Sequence, residues 1–107
     1  MELPPPNWFP ELFSLLLAGR DLPPGRVTEA VRDLVAGRVD DARGAAFLTA
    51  LRMKGETADE IADAALVLRE QMVRLVPVSG PVLDTCGTGG DDSGTFNIST
   101  AAALGAA

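Results

Sequence analysis

The apolar positions in the first three quarters of the chain recur three and four residues apart, which is typical of amphipathic α-helices. Asn7 is a suitable cap for a first helix, and Gly19 is a suitable left-handed terminator. A second helix is predicted to open at Pro23 and Pro24, where a missing backbone N–H costs little, and to end at Gly37. The apolar residues of these two helices are Trp8, Leu12, Leu15, Leu16, Val27, Val31, Leu34 and Val35.

Two further helices are predicted from their caps. Asp40 can cap a third helix that ends at Gly55. Thr57 and Glu60 have the spacing of a capping box for a fourth helix, which Pro77 should stop. The apolar residues that recur along the fourth helix are Ile61, Ala65, Leu68, Met72 and Leu75.

The short connections between these helices favour neighbours packed side by side. We therefore expect a four-helix subdomain over residues 1–76, followed by a linker over residues 77–81. Asp59 and Glu60 are expected to stay in solvent. The side chains predicted to share the core are Leu48, Leu51, Ile61 and Leu68.

The pattern changes after the linker sequence PVSGP. Residues 82–86 form a short β-prone run, a glycine-rich loop follows, and NISTAAALGAA is predicted to begin an apolar helix. A parallel sheet needs partner strands joined by crossovers, so residues 82–107 are interpreted as the truncated beginning of an α/β domain. The predicted fold class is therefore mainly α, with the first strand, loop and helix start of that second domain.

Composition and charge narrow the function classes. The chain has 107 residues, a net charge of −6 and one cysteine. An acidic chain is poorly suited to nucleic acid or an anionic membrane, and a lone cysteine forms no internal disulfide. No signal peptide is recognised, and no apolar run reaches the ~18 residues of a membrane span. A cytoplasmic protein is expected.

The sequence DTCGTGGDDSGTFNIST, residues 84–100, contains the candidate chemistry. A strand, a glycine-rich turn and a helix start bring backbone N–H groups together around an anion. Asp91 and Asp92 would repel a bare diphosphate but can accept hydrogen bonds from sugar hydroxyls or organise the water around Mg²⁺. The nucleotide-binding templates do not fit, so phosphate binding and an ordinary flexible turn both remain open from the pattern alone.

The motifs GTGGD and TFNIST, with the upstream AAFLTALRMKGETADEIADAA, resemble the anthranilate phosphoribosyltransferase family of tryptophan biosynthesis. The resemblance implies a helical subdomain beside an α/β domain, an active site in the cleft between them, and a homodimer formed through the helical part. It also implies a reaction in which anthranilate displaces pyrophosphate from phosphoribosyl pyrophosphate with the assistance of Mg²⁺.

The resemblance also assigns roles to residues. Ser99 would ligate Mg²⁺, and the backbone around Gly87 would border anthranilate. No catalytic nucleophile is implied, because charge stabilisation and positioning suffice for pyrophosphate departure. Cys86 is expected to be a small buried residue at the strand end. The residues implied to bind phosphoribosyl pyrophosphate are Gly87, Thr88, Gly89, Gly90, Asp91, Thr95, Asn97, Ile98, Ser99 and Thr100.

The chain departs from the family pattern in two respects. Asp92 stands where the family often has glycine, and the family's next motif, KHGNR, would lie beyond Ala107 with further substrate and metal ligands. We therefore expect a fragment that is inactive alone. Two alternatives remain open, namely a class II pyrimidine nucleoside phosphorylase-like enzyme and a non-catalytic helical dimerisation module.

Overall fold

A computed structural model of the chain describes residues 4–87, 94 and 98–107, and this part is mainly helical, as predicted. The chain divides into two compact units, Met1–Arg74 and Leu75–Ala107. No helix in the described part is both long and apolar enough to cross a membrane. The helices are α1 (Phe9–Leu17), α2 (Arg26–Val35), α3 (Asp41–Lys54), α4 (Ala58–Gln71) and α5 (Ile98–Ala106).

Helix α1 begins one residue later than predicted. Its N-cap is Trp8, with no side-chain hydrogen bond to the first turn, so the prediction that Asn7 caps this helix is wrong. Its end is confirmed, because Gly19 has a φ of 67°. The N–H of Arg20 donates to the carbonyl of Leu15 over 3.0 Å, which satisfies one of the terminal carbonyls left unpaired by the helix.

Helix α2 opens after the two prolines, not at them as predicted. Gly25, with a φ of 79°, is the N-cap, and the N–H of Arg26 donates to the carbonyl of Pro23 in a preceding turn. Asp63 on α4 accepts the Gly25 N–H over 3.1 Å, so a carboxylate lies at the positive end of α2. The predicted end is confirmed, since Gly37 follows the helix with a φ of 68°.

The predicted caps of α3 and α4 are confirmed. Oδ1 of Asp40 accepts the N–H of Arg43 over 3.0 Å. Thr57 Oγ1 accepts the Glu60 N–H over 3.2 Å, and Glu60 Oε2 accepts the Thr57 N–H over 2.8 Å, which completes the capping box. Gly55 ends α3. These caps therefore satisfy some of the backbone groups that α3 and α4 leave unpaired at their ends.

The end of α4 differs from the prediction. The helix stops at Gln71, and Met72 is already extended with a ψ of 145°. Pro77 lies further along the chain, so it does not terminate the helix as predicted. The apolar residues that follow α4, Val73 and Leu75, are exposed and offer no buried face to extend it.

The core of the first unit lies between two helix pairs, with α1 packed on α3 and α2 on α4. The rings of Trp8 and Phe47 meet edge to face at a centroid distance of 5.1 Å. The indole Nε1 of Trp8 donates to Asp33 over 2.8 Å, so this buried polar atom is satisfied. The core cluster comprises Trp8, Leu12, Leu16, Leu22, Val27, Ala30, Phe47 and Ala50.

The predicted core of α3 and α4 is largely wrong. Phe47 and Val67 are fully buried, so the residue that follows each of them points about 100° away around its helix. Three of the four predicted core residues are more than half exposed, and the fourth is only partly buried. These residues are Leu48, Ile61 and Leu68, and then Leu51.

Glu60 was predicted to face solvent with Asp59, and the structure contradicts this prediction for Glu60 alone. Asp59 is exposed, whereas Glu60 is 4% exposed. Lys54 donates to both carboxylate oxygens, and the Leu22 N–H donates to Oε1 over 2.9 Å. Burial would raise the pKa of Glu60, but hydrogen bonds from Lys54, Leu22 and Thr57 together lower that pKa below its usual value.

The second unit contains α5, which confirms the predicted helix start. The structure assigns no strand to residues 81–87, so the predicted strand over residues 82–86 is not observed there. A strand is defined by its ladder, and the described residues offer this segment no neighbouring strand. Cys86 is exposed, contrary to the prediction that it is buried. No described side chain of this unit is buried.

Candidate functional site

The predicted site residues fall into two groups. Six of them lie outside the described residues, namely Thr88, Gly89, Gly90, Asp91, Thr95 and Asn97. The other four are described, namely Gly87, Ile98, Ser99 and Thr100. The geometry of the candidate site therefore comes from the segment before the glycine-rich stretch and from the first turn of α5.

A direct hydrogen bond joins two of the predicted residues. The N–H of Gly87 donates to Oγ of Ser99 over 2.9 Å. A Cβ atom built on Gly87 would lie 2.9 Å from the same oxygen, closer than real Cβ atoms approach another heavy atom. A larger residue at position 87 would therefore require the Ser99 hydroxyl to move from its present contact with the backbone.

Ser99 is the second residue of α5 and is partly exposed. A serine hydroxyl has one proton and two lone pairs, and the Gly87 N–H uses one lone pair. As far as the described residues are concerned, the hydroxyl thus retains a proton for donation and a second lone pair. The first turn of a helix also presents backbone N–H groups that have no partner within the helix, which favours an anion there.

Asp84 is a functional candidate that sequence reasoning missed, because it was interpreted as part of a strand. Its Oδ1 accepts the N–H of Cys86 over 2.8 Å. An aspartate that accepts from the backbone two residues further on forms an Asx turn, and Asp is one of the residue types that favour this turn. This contact lies immediately before Gly87. The signal in the sequence was therefore the aspartate placed just ahead of the glycine-rich stretch.

A groove of about 410 Å³ runs between this segment and α5. Leu83 and Leu104 contribute apolar surface, whereas Asp84, Ser99 and Thr100 contribute polar atoms. The volume lies within the range of small-molecule sites, which are mostly apolar with a few polar groups that orient the ligand. The groove can therefore accept a ligand whose polar end lies near Ser99.

The described residues contain no group of three or more His, Cys, Asp or Glu side chains that could hold a metal ion. The Ser99 hydroxyl supplies one neutral oxygen. Mg²⁺ usually keeps several waters and takes oxygens from substrate phosphates, with only one or two protein ligands. The donor set therefore fits Mg²⁺ only if a phosphorylated ligand brings further oxygens.

Comparison with known protein families matched two models. Residues 10–72 match the helical bundle domain of a glycosyl transferase family, and residues 79–107 match the a/b domain of that family. The first match covers most of the chain and contains α2, α3, α4 and nearly all of α1. This chain belongs to that glycosyl transferase family.

Curated relatives specify the family further. A Methylococcus capsulatus protein named anthranilate phosphoribosyltransferase is 57% identical over 96 residues, which is 89% of this chain and 28% of that relative. A protein of the same name from Chloroflexus aurantiacus is 48% identical over 91% of this chain. Another from Saccharophagus degradans is 44% identical over 88% of this chain. Each match covers 28% of the relative. These matches confirm the resemblance inferred from the motifs.

The chain spans little more than a quarter of the length of these relatives. No solved structure matches the chain significantly. The family assignment therefore rests on the sequence matches, and the contacts of Gly87, Asp84 and Ser99 come from this chain alone.

Proposed function

We propose that this chain supplies the helical unit and the glycine-rich loop of an anthranilate phosphoribosyltransferase. The reaction would transfer the phosphoribosyl group of phosphoribosyl pyrophosphate to anthranilate in tryptophan biosynthesis and release pyrophosphate. The observation that carries the proposal is the 57% identity to a relative of that name over 89% of the chain. The contact of Gly87 with Ser99 supports it, because that contact brings the loop to the first turn of α5.

The proposed contribution of the chain is to bind and orient the diphosphate of the sugar substrate. Departure of pyrophosphate creates negative charge, which backbone N–H groups and hydroxyls stabilise without a covalent nucleophile. The Ser99 hydroxyl has a proton available for a phosphate oxygen. The residues proposed to contact phosphoribosyl pyrophosphate are Gly87, Thr88, Gly89, Gly90, Asp91, Thr95, Asn97, Ile98, Ser99 and Thr100.

We also propose Mg²⁺ as the metal of this site, with Ser99 as one ligand and substrate oxygens among the others. When bound, Mg²⁺ would neutralise part of the diphosphate charge. The remaining lone pair of the Ser99 oxygen fits this role, because its other lone pair already holds the Gly87 N–H. The backbone around Gly87 would border anthranilate. A reducing compartment, the cytoplasm, is proposed because the only cysteine has no partner for an internal disulfide.

We propose a homodimer formed through the helical unit, which is also the basis of the second candidate function, a helical association module. The supporting observation is an apolar groove of about 430 Å³ between α1 and α3. Leu17 and Met53 line it and are exposed. Apolar grooves on a surface are typical of association sites. Light scattering should give the mass of a dimer for the wild-type chain. The double variant Leu17→Glu with Met53→Glu should give the mass of a monomer, whereas Leu66→Glu on α4 should remain dimeric.

A chimeric enzyme tests the catalytic proposal. The matched segment of the Methylococcus capsulatus relative is replaced by this chain, and the loss of anthranilate fluorescence is followed with phosphoribosyl pyrophosphate and Mg²⁺. We expect turnover that requires both additions, with the unmodified relative as the positive control. A chimera that is folded by circular dichroism yet inactive would contradict the catalytic proposal. A dimeric but inactive chimera would favour the association module.

A further inference from the structure

The starting observation is a side chain that contacts its own backbone just before the glycine-rich stretch. Oδ1 of Asp84 accepts the N–H of Cys86 over 2.8 Å. Asp84 forms no ion pair with any residue of the described ranges 4–87, 94 and 98–107. Within the same ranges, its hydrogen bond with the Cys86 N–H is therefore the interaction through which it can affect its neighbours.

The next donor along the backbone makes the second contact. The Gly87 N–H donates to Ser99 Oγ over 2.9 Å, and a Cβ built on Gly87 would lie 2.9 Å from the same oxygen. Adjacent backbone N–H groups are linked by one planar peptide unit and two soft dihedral angles. An acceptor that holds the Cys86 N–H therefore leaves only φ and ψ of Cys86 to turn the Gly87 N–H, which narrows the range of directions in which that group points. The two hydrogen bonds act in series, from Asp84 to Cys86 and from Gly87 to Ser99.

We infer that Asp84 is a positioning residue for the phosphoribosyl pyrophosphate site, and that it acts by holding the Gly87 N–H on Ser99 through the Asp84–Cys86 hydrogen bond. The inference rests on the proposed function for the identity of the ligand. Asp84 contacts neither ligand nor metal in this role. What position 84 requires is a short side chain with an acceptor oxygen, and not a negative charge.

If position 84 requires an acceptor oxygen and not a negative charge, two substitutions of Asp84 and one control variant separate these properties. Asp84→Asn keeps an acceptor oxygen of the same reach but removes the charge. Asp84→Ala removes both. Asp59→Ala removes an exposed carboxylate from α4 and serves as the control. A direct contact of Asp84 with Mg²⁺ or with a sugar hydroxyl would make the asparagine variant nearly as defective as the alanine variant.

The first measurement uses the 107-residue chain without ligand. NMR gives the rate at which the Gly87 amide proton exchanges with water. A hydrogen bond of ordinary strength predicts that Asp84→Ala accelerates this exchange about 3- to 10-fold. Asp84→Asn and Asp59→Ala should remain within about twofold of the wild-type rate. Equal rates for wild type and Asp84→Ala would overturn the inference.

The second measurement uses the active chimera. Asp84→Ala should raise the KM for phosphoribosyl pyrophosphate about 3- to 10-fold, with a smaller change in the KM for anthranilate, and Asp84→Asn should retain wild-type values. An asparagine variant as defective as the alanine variant would overturn the inference. Because the exchange experiment needs no substrate, faster Gly87 exchange in Asp84→Ala combined with an inactive unsubstituted chimera would contradict only the proposed function.

Discussion

Nζ of Lys54 lies 2.8 Å from Oε2 of Glu60, and the two side chains are only 2% and 4% exposed. Lys54 also contacts Asp21 over 3.0 Å, and Glu60 accepts the Leu22 N–H. One buried ion pair thus connects the end of α3, the start of α4 and the segment between α1 and α2. Removal of Lys54 would leave Glu60 as a buried charge without its cation, whereas removal of Glu60 would leave Lys54 with Asp21 alone.

Lys54→Met should therefore destabilise the helical unit. We expect a loss of about 2 to 4 kcal/mol in the free energy of unfolding, because Glu60 would lose its cation. Arg69→Met, which removes an exposed cation from α4, should change this free energy by less than about 0.5 kcal/mol. Urea denaturation of the two variants measures the difference. Equal urea midpoints and equal slopes of the unfolding free energy against urea for wild type and Lys54→Met would show that the Lys54–Glu60 pair adds no stability.

The same pair predicts the dependence of stability on pH. The pKa of Glu60 is lowered in the folded state, so its contribution is present above the pKa of an unfolded glutamate and is lost as the pH falls through the lowered value. Burial would lower the pKa of Lys54, but Glu60 and Asp21 raise it, so the lysine contribution is lost only as the pH rises through that raised value. Stability should form a plateau between these limits and decline in acid.

Glu60→Gln isolates the acid limb of this curve. The variant should be less stable at neutral pH and should lose less stability than wild type between about pH 5 and pH 2, because one carboxylate with a lowered pKa is gone. Asp59→Asn, a change at an exposed carboxylate, should retain the acid limb. Free energies of unfolding at a series of pH values check the prediction. An acid limb for Glu60→Gln as steep as that of wild type would be inconsistent with it.

Two adjacent residues of α4 test which face is the core. Val67 is fully buried, whereas Leu68 is more than half exposed. Val67→Ala should cost about 2 to 3 kcal/mol from lost burial and a small cavity, and Leu68→Ala should cost less than about 1 kcal/mol despite its larger side chain. Thermal or urea unfolding compares them directly. A larger cost at Leu68 would place that residue in the core, as the sequence predicted.

The close approach of Gly87 to Ser99 predicts a position-specific effect of alanine. Gly87→Ala would place a Cβ 2.9 Å from the Ser99 oxygen and force that hydroxyl to move, so the hydrogen bond between these residues should weaken. The chimera's KM for phosphoribosyl pyrophosphate should then rise about 3- to 10-fold. Gly105→Ala is the matched control, because its Cβ would enter open space within α5. Equal KM values for the two variants would mean that the contact does not shape the site.

Periodicity and caps in the sequence predicted the helices well, because both are local. The Asp40 cap and the Thr57–Glu60 capping box depend on residues three apart, and the structure confirms them. The face that each helix buries was not predictable in the same way. Phe47 and Leu48 are adjacent in sequence and both are apolar. Only the packing of α3 against α1 decides that Phe47 is buried and Leu48 is exposed.

The errors at charged and loop positions have the same origin. Glu60 is buried because Lys54, at the end of the preceding helix, and Leu22, 38 residues away in sequence, satisfy its carboxylate. Gly87 and Ser99 were both predicted as site residues, but the hydrogen bond between them joins positions 12 apart in sequence, which residue types and local spacing do not predict. Residue types therefore indicated the chemistry of the site, and the structure supplied the contacts that arrange it.

The most direct test of the proposed site is steady-state kinetics of Ser99→Ala in the chimera, with phosphoribosyl pyrophosphate and Mg²⁺ varied independently. Ser99→Thr keeps a hydroxyl, and Ser79→Ala removes one from the segment before the loop. Loss of the Ser99 hydroxyl should lower kcat/KM for phosphoribosyl pyrophosphate by about 5- to 150-fold and weaken the Mg²⁺ dependence, with thermal stability almost unchanged. Ser99→Thr should retain more activity than Ser99→Ala, and Ser79→Ala should match wild type. Wild-type kcat/KM and an unchanged Mg²⁺ dependence in Ser99→Ala would contradict the assignment of diphosphate and metal to the first turn of α5.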